Sequence, residues 1–143
     1  TEACEIVAAA RYTGLILLCD HASNALPAEY GTLGLAPEEL ERHIAYDIGA
    51  AMVTRTMAQA LGAPAVLSTF SRLLIDPNRG GDDPTLVMRI ADGAIVPGNA
   101  RIGQEEIDNR IARFYAPYDT AIAATLDAME RLDVEMAKAE LED

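Results

Sequence analysis

Cysteine occurs twice in 143 residues, lysine is nearly absent, and no apolar run reaches the length of a bilayer crossing. Each shortage removes a class of protein. Cys4 and Cys19 are too few for the disulfide framework of a small secreted domain, and Cys19 ends an apolar stretch where it reads as a small buried hydrophobe. A reducing, cytoplasmic setting is expected. No charged n-region precedes an apolar h-region, so neither a secretory leader nor a membrane span is expected. The formal charge is −12 and the cations are mostly arginines. Such a surface repels a polyanion, which excludes nucleic acid as a partner. The spacings H-E-x-x-H and C-x-x-C, the G-x-S-x-G elbow and a glycine phosphate cradle are also missing. Metal, nucleophile and nucleotide chemistry therefore have no ready-made motif here.

Half of the residues are apolar, enough for one sizeable core, and neither a repeat nor a linker divides residues 1–143. Gly14 to Cys19 reads as a first buried strand that runs directly into Asp20-His21-Ala22-Ser23-Asn24. A strand entering such a polar run marks a site-bearing loop. A long helix is expected from Pro37 to Leu61, with Leu40, Ile44, Ile48 and Met52 on one stripe and Gly62 as terminator. His43 and Asp47, four apart, would share a neighbouring face. Ala65 to Ser68 reads as a second strand and Leu73 to Ile75 as a third, covered on both faces. Residues 80–103 are rich in Gly, Pro, Asp and Asn and too long for an ordinary connection, which suits a functional loop or lid. Helices are expected from Gln104 to Tyr115 and, after an interruption at Pro117, from Tyr118 with Ile122, Leu126, Met129 and Leu132 on one side. The acidic last third reads as a solvated helix face.

The chemistry gathers in Ser71-Arg72-Leu73-Leu74-Ile75-Asp76-Pro77-Asn78-Arg79, where ionisable groups flank an apolar run. The Arg79 fork and the Asn78 amide together suit a carboxylate. Asp76 pairing with Arg72 or Arg79 for structural reasons is an equal reading of the same spacing. His21 is the sharpest metal-ligand candidate, with Asp20 beside it as partner or orienter and Asp47 as a possible second ligand. His43 reads as structural. Ser23 lacks the activating turn a nucleophile needs.

Taken together, Cys19-Asp20-His21-Ala22-Ser23-Asn24, His43-Ile44-Ala45-Tyr46-Asp47-Ile48-Gly49-Ala50, the Ser71 to Arg79 segment, Pro97-Gly98-Asn99 and Pro117-Tyr118 resemble the N-formylglutamate amidohydrolase family, in the family's order. The resemblance implies an α/β fold, a three-layer α/β/α sandwich related to zinc-dependent exopeptidases, and hydrolysis of N-formyl-L-glutamate to formate and glutamate. It implies a zinc cofactor on His21, for which Asp47 is the possible second ligand noted above, and a small acidic amino-acid derivative as substrate. Asn78 and Arg79 would hold the substrate carboxylate, with Ser23 and Asn24 as further substrate contacts. Arg72 would stabilise the oxyanion, and Asp20 would be catalytic. Two departures stand out. The family reads Pro-Tyr-His where this chain has Pro117-Tyr118-Asp119, and its members are much longer, so a truncated member is expected. Glu135 could answer to the family's late Glu, or be a solvated helix position. The same cluster without a complete ligand set would make a module that only binds small carboxylates.

Overall fold

The computed structural model describes residues 2–142. Strand β3 (Ala65–Ser68) lies in the middle of a three-stranded sheet. On one side β1 (Cys4–Val7) runs antiparallel to it, with Cys4 opposite Ser68 and Val7 opposite Ala65. On the other side β2 (Leu17–Cys19) runs parallel, with Leu17 opposite Ala65 and Cys19 opposite Leu67. All four β3 residues are buried, as a strand covered on both faces requires. Ala65 and Leu67 cluster with Cys19 and with Ala58 of helix α1 (Ala50–Leu61). Val66 points the other way, into Phe114, Tyr118 and Ala121, which lie on the helical stretch ending in α3 (Ala116–Glu142). Helix, sheet and helix are thus stacked in the expected α/β order. Full burial of side chains such as Leu67, Phe70 and Phe114 stabilises this stack by about 1.5–3 kcal/mol each. Among the described residues no helix is long and apolar enough to cross a membrane.

Five expectations are corrected. The first strand is shorter than Gly14 to Cys19 and is not buried throughout: it spans Leu17–Cys19, with Leu18 exposed. The third strand does not form: residues 71–76 make a buried turn, closed by Leu74 N–H donating to Ser71 O. Their apolar side chains are buried as expected, but the backbone bonds to scattered partners instead of a ladder. The long helix is also broken. Pro37–Glu41 is a short 3-10 turn, and between it and α1 the chain is held open because Asp47 N–H donates to His21 O and Arg72 N–H to Ala45 O. Ile44 is buried whereas Ile48 and Met52 are exposed, so their four-residue spacing is not a packed stripe. Gly62 does terminate α1, at φ 68° with its N–H on Ala58 O. Residues 80–103 carry Leu86, Val87, Ala91, Val96 and Asn99 into the interior, which makes the segment part of the core instead of a lid. A two-residue hairpin, β4 (Ile90–Ala91) with β5 (Ala94–Ile95), turns within it. Finally, Pro117 does not interrupt the helical run. Helix α2 (Gln104–Arg110) passes into α3 through a π turn at Ile111–Tyr115, where Ala116 N–H reaches back to Ile111 O. The widened turn lies where the proline ring would otherwise press on a carbonyl one turn back.

The buried line of that long helical run is Phe114, Tyr118, Ala121, Thr125 and Met129. Leu126 is exposed and Ile122 packs at the margin. Glu130, Asp133, Glu135 and Glu140 are exposed, so the acidic tail is the solvated face the sequence indicates.

Candidate functional site

His21 lies two residues past the end of β2, beyond the last rung to β3, and it is buried (7% exposed). Asp76, 55 residues later, meets it: His21 Nε2 lies 2.7 Å from Asp76 Oδ1. Asp76 is 1% exposed and is the centre of the cluster. Its carboxylate also accepts from the Asn78 backbone N–H (2.9 Å) and from Arg72 Nη2 (3.1 Å), with Arg79 Nε 3.5 Å away. Burial works against the charge, but His21, the Asn78 amide and Arg72 outweigh it and hold the Asp76 carboxyl below the ordinary carboxylate range. An ionised Asp76 is an acceptor only, so His21 Nε2 carries the proton of their bond.

That tautomer leaves Nδ1 facing Asp47 Oδ2 at 3.4 Å. In a neutral imidazole this places a lone pair against a carboxylate, an arrangement that calls for a cation or proton between them. Burial disfavours the imidazolium, yet the Asp76 bond and charge prevail, and His21 is more basic than usual. Arg72 bridges the two carboxylates, 3.1 Å from Asp76 and 3.8 Å from Asp47. Its Nε is buried and, among the described residues, without a hydrogen-bond partner.

Zinc was expected on His21 and Asp47. Among the described residues no group of three or more His, Cys, Asp and Glu side chains is arranged to hold a metal. Two donors nevertheless fit. Zinc bonds of roughly 2.0–2.1 Å give a tetrahedral edge of about 3.3 Å, and the His21 Nδ1 to Asp47 Oδ2 separation is 3.4 Å. The outer His nitrogen on a carboxylate is the arrangement that orients a ligating imidazole.

The remaining expected site residues divide. Arg79 is partly exposed, with Nη1 on Thr85 Oγ1 at 3.0 Å and its carbonyl accepting from Tyr115. The Asn78 side chain is exposed, so both stand at the open side of the cluster. The Asp20 carboxylate does not bond to the His21 ring. Its Oδ1 accepts from the Tyr118 hydroxyl at 2.7 Å, and Asp76 takes the orienting role because the turn at 71–76 brings it across the fold. Ser23 and Asn24 are committed to the loop: Ser23 Oγ accepts from Ala25 N–H, and Asn24 Nδ2 donates to Leu40 O. His43 is exposed, with Nε2 3.8 Å from Asp92, and shares no face with Asp47. Asp119 is exposed on α3, as is Glu135.

Behind the cluster lies a second polar group that the sequence reading missed. Arg110 is 1% exposed. Its Nη1 donates to Leu74 O (2.8 Å) and Asn99 Oδ1 (2.7 Å), and its Nε to Glu106 (2.8 Å). Asn99 Nδ2 donates in turn to Leu73 O and Met88 O. These side chains satisfy carbonyls that a neighbouring strand would otherwise satisfy. The Pro97-Gly98-Asn99 sequence seats this amide. Gly98 lies so close to Leu33 that a Cβ there would come within 2.8 Å of Leu33 Cα.

A family model described as N-formylglutamate amidohydrolase matches residues 13–137. The structure is similar to that of a gene product from Agrobacterium tumefaciens, with a TM-score of 0.84 at 31% identity over 91% of this chain and 52% of that one. It is also similar to the N-formylglutamate amidohydrolase of Ralstonia eutropha, with a TM-score of 0.69 at 23% identity over 92% of this chain and 53% of that one. The chain therefore spans about half the length of these solved structures. No curated protein matches it.

Proposed function

The chain belongs to the N-formylglutamate amidohydrolase family, and from that premise we propose that it acts in zinc-dependent hydrolysis of the formyl amide of an N-acyl acidic amino acid such as N-formyl-L-glutamate. The observation that carries this reading is that His21 Nδ1 and Asp47 Oδ2 face each other at 3.4 Å while Nε2 is committed to Asp76.

In this reading His21 and Asp47 would hold the zinc, which when bound supplies Lewis acidity toward a carbonyl. Asp76 fixes the His21 ring and the near edge of Arg72 at once. The Arg72 guanidinium would donate to the oxygen on which negative charge develops from the Nη1 side that faces Asp47, and because Asp76 already holds its Nη2, little reorganisation accompanies that step. Arg79 and Asn78, at the open edge, hold the carboxylate of the substrate. A cytoplasmic setting is part of the proposal, resting on a sequence with too few cysteines for a disulfide framework.

The test is formate release from N-formyl-L-glutamate by the purified chain supplied with zinc, compared with an N-formyl amino acid lacking the side-chain carboxylate. Turnover that prefers the acidic substrate supports the reading. Zinc uptake without turnover would remove the hydrolytic role and leave a carboxylate-binding relative.

A further inference from the structure

The parallel ladder between β2 and β3 ends at Cys19 opposite Leu67, one residue short of Asp20 and Ser68. At that point Thr69 N–H turns to Ala3 O on the β1 side. The Ser68 hydroxyl takes over. Ser68 is 2% exposed, and its Oγ donates to Asp20 O at 2.7 Å and accepts from Ala22 N–H at 3.2 Å. One side chain thus grips the backbone on both sides of His21. Two further bonds complete the hold: Tyr118, almost fully buried, donates to the Asp20 carboxylate at 2.7 Å, and Asp47 N–H donates to His21 O at 2.9 Å.

We infer that Ser68 is a positioning residue for His21, assisted by the Tyr118 to Asp20 bond. Together they turn the chain out of the sheet at the angle that puts one imidazole nitrogen on Asp76 and the other toward Asp47. A strand that continued its ladder would keep bonding to β3 through its own backbone. The hydroxyl substitutes for that rung while letting the backbone peel away, and without it two partly buried polar groups flanking His21 would lose this partner. This inference rests on the functional reading above, since it concerns the same histidine.

The test follows the imidazole directly, by nitrogen-15 NMR of histidine-labelled protein. His43 is exposed and its ring N–H exchanges quickly with water, so the protected imidazole proton belongs to His21 on Asp76. In Ser68→Ala that proton should exchange roughly tenfold faster or more, while the Asp76 amide, bonded to Leu86 O, keeps its protection. Ser68→Thr, which retains a hydroxyl, should restore the parent behaviour. Should Ser68→Ala fail to fold, Tyr118→Phe carries the test, because it keeps the ring in the core and removes only the bond to Asp20. Unchanged His21 protection in either folded variant, or a loss matched by the Asp76 amide, would overturn the inference. The readout does not pass through turnover: failure of the hydrolytic reading shows as no formate from the parent, and failure of this one as an unaltered imidazole signal.

Discussion

Arg72 lies in the buried turn at 71–76 and Arg110 donates to it from α2, and their surroundings differ. Arg110 spends its donors inside the protein, on Leu74 O, Asn99 and Glu106, with its guanidinium 4.9 Å from the centre of the Tyr30 ring. Arg72 holds Asp76 with one nitrogen and leaves its buried Nε without a partner among the described residues. The carboxylates repeat the contrast. Asp76 is 1% exposed and bonded from several sides, whereas Asp47 is largely open to solvent and faces a histidine nitrogen at 3.4 Å. A polar cluster that builds the fold is closed on itself. One that can meet a ligand keeps an edge open to solvent, as this one does at Asp47.

The contrast breaks most visibly at Arg110. Arg110→Met should destabilise the chain by about 3–5 kcal/mol, because it strands Glu106, Asn99 Oδ1 and Leu74 O in or near the core. Denaturant unfolding measures this, and a loss below about 1 kcal/mol would mean that the second cluster does not support the turn. Arg72→Ala should behave in the opposite way. Its stability cost should be well below that of Arg110→Met, while formate release should fall by about a hundredfold or more if Arg72 serves the developing oxyanion. Equal turnover in variant and parent would take Arg72 out of the chemistry.

A smaller effect separates the clusters by pH. Burial raises the Glu106 pKa, but Arg110, Tyr30 and Asn109 outweigh it, and the folded value lies below the ordinary one. A depressed folded pKa contributes stability that is present above the unfolded value and lost as pH falls through the folded one. Glu106→Gln should therefore remove part of the loss of stability on acidification and lower stability at neutral pH. An acid limb identical to the parent's would show that Glu106 is not coupled to folding.

Much of the frame was legible in the sequence. β3 reads as a short apolar run because it is buried on both faces, and Gly62 ends α1 because only a left-handed residue fits there. His21, Asp47, Arg72 and Arg79 were identifiable as candidates and do come together. The Leu73 to Ile75 run was misread as a strand because burial produces the same apolar pattern whether backbone bonds go to a ladder or to side chains such as Asn99 and Arg110. The helix expected through His43 and Asp47 fails for a related reason: Asp47 N–H bonds to His21 O, a tertiary contact that local periodicity cannot register. Asp20 was favoured as the orienter by adjacency, whereas Asp76 reaches His21 only once the chain is folded. Arg110 carried one local signal, its four-residue spacing from Glu106, but nothing in that spacing reveals burial.

The most direct test of the account is calorimetric titration of zinc into the parent chain and into Asp47→Asn, with unfolding curves recorded for both. The account predicts zinc uptake by the parent, affinity weakened at least tenfold in the variant, and stability changed by less than about 1 kcal/mol, since Asp47 is a largely exposed side chain. Equal zinc affinity in the two chains would contradict it, because the gap between His21 and Asp47 would then hold no ion.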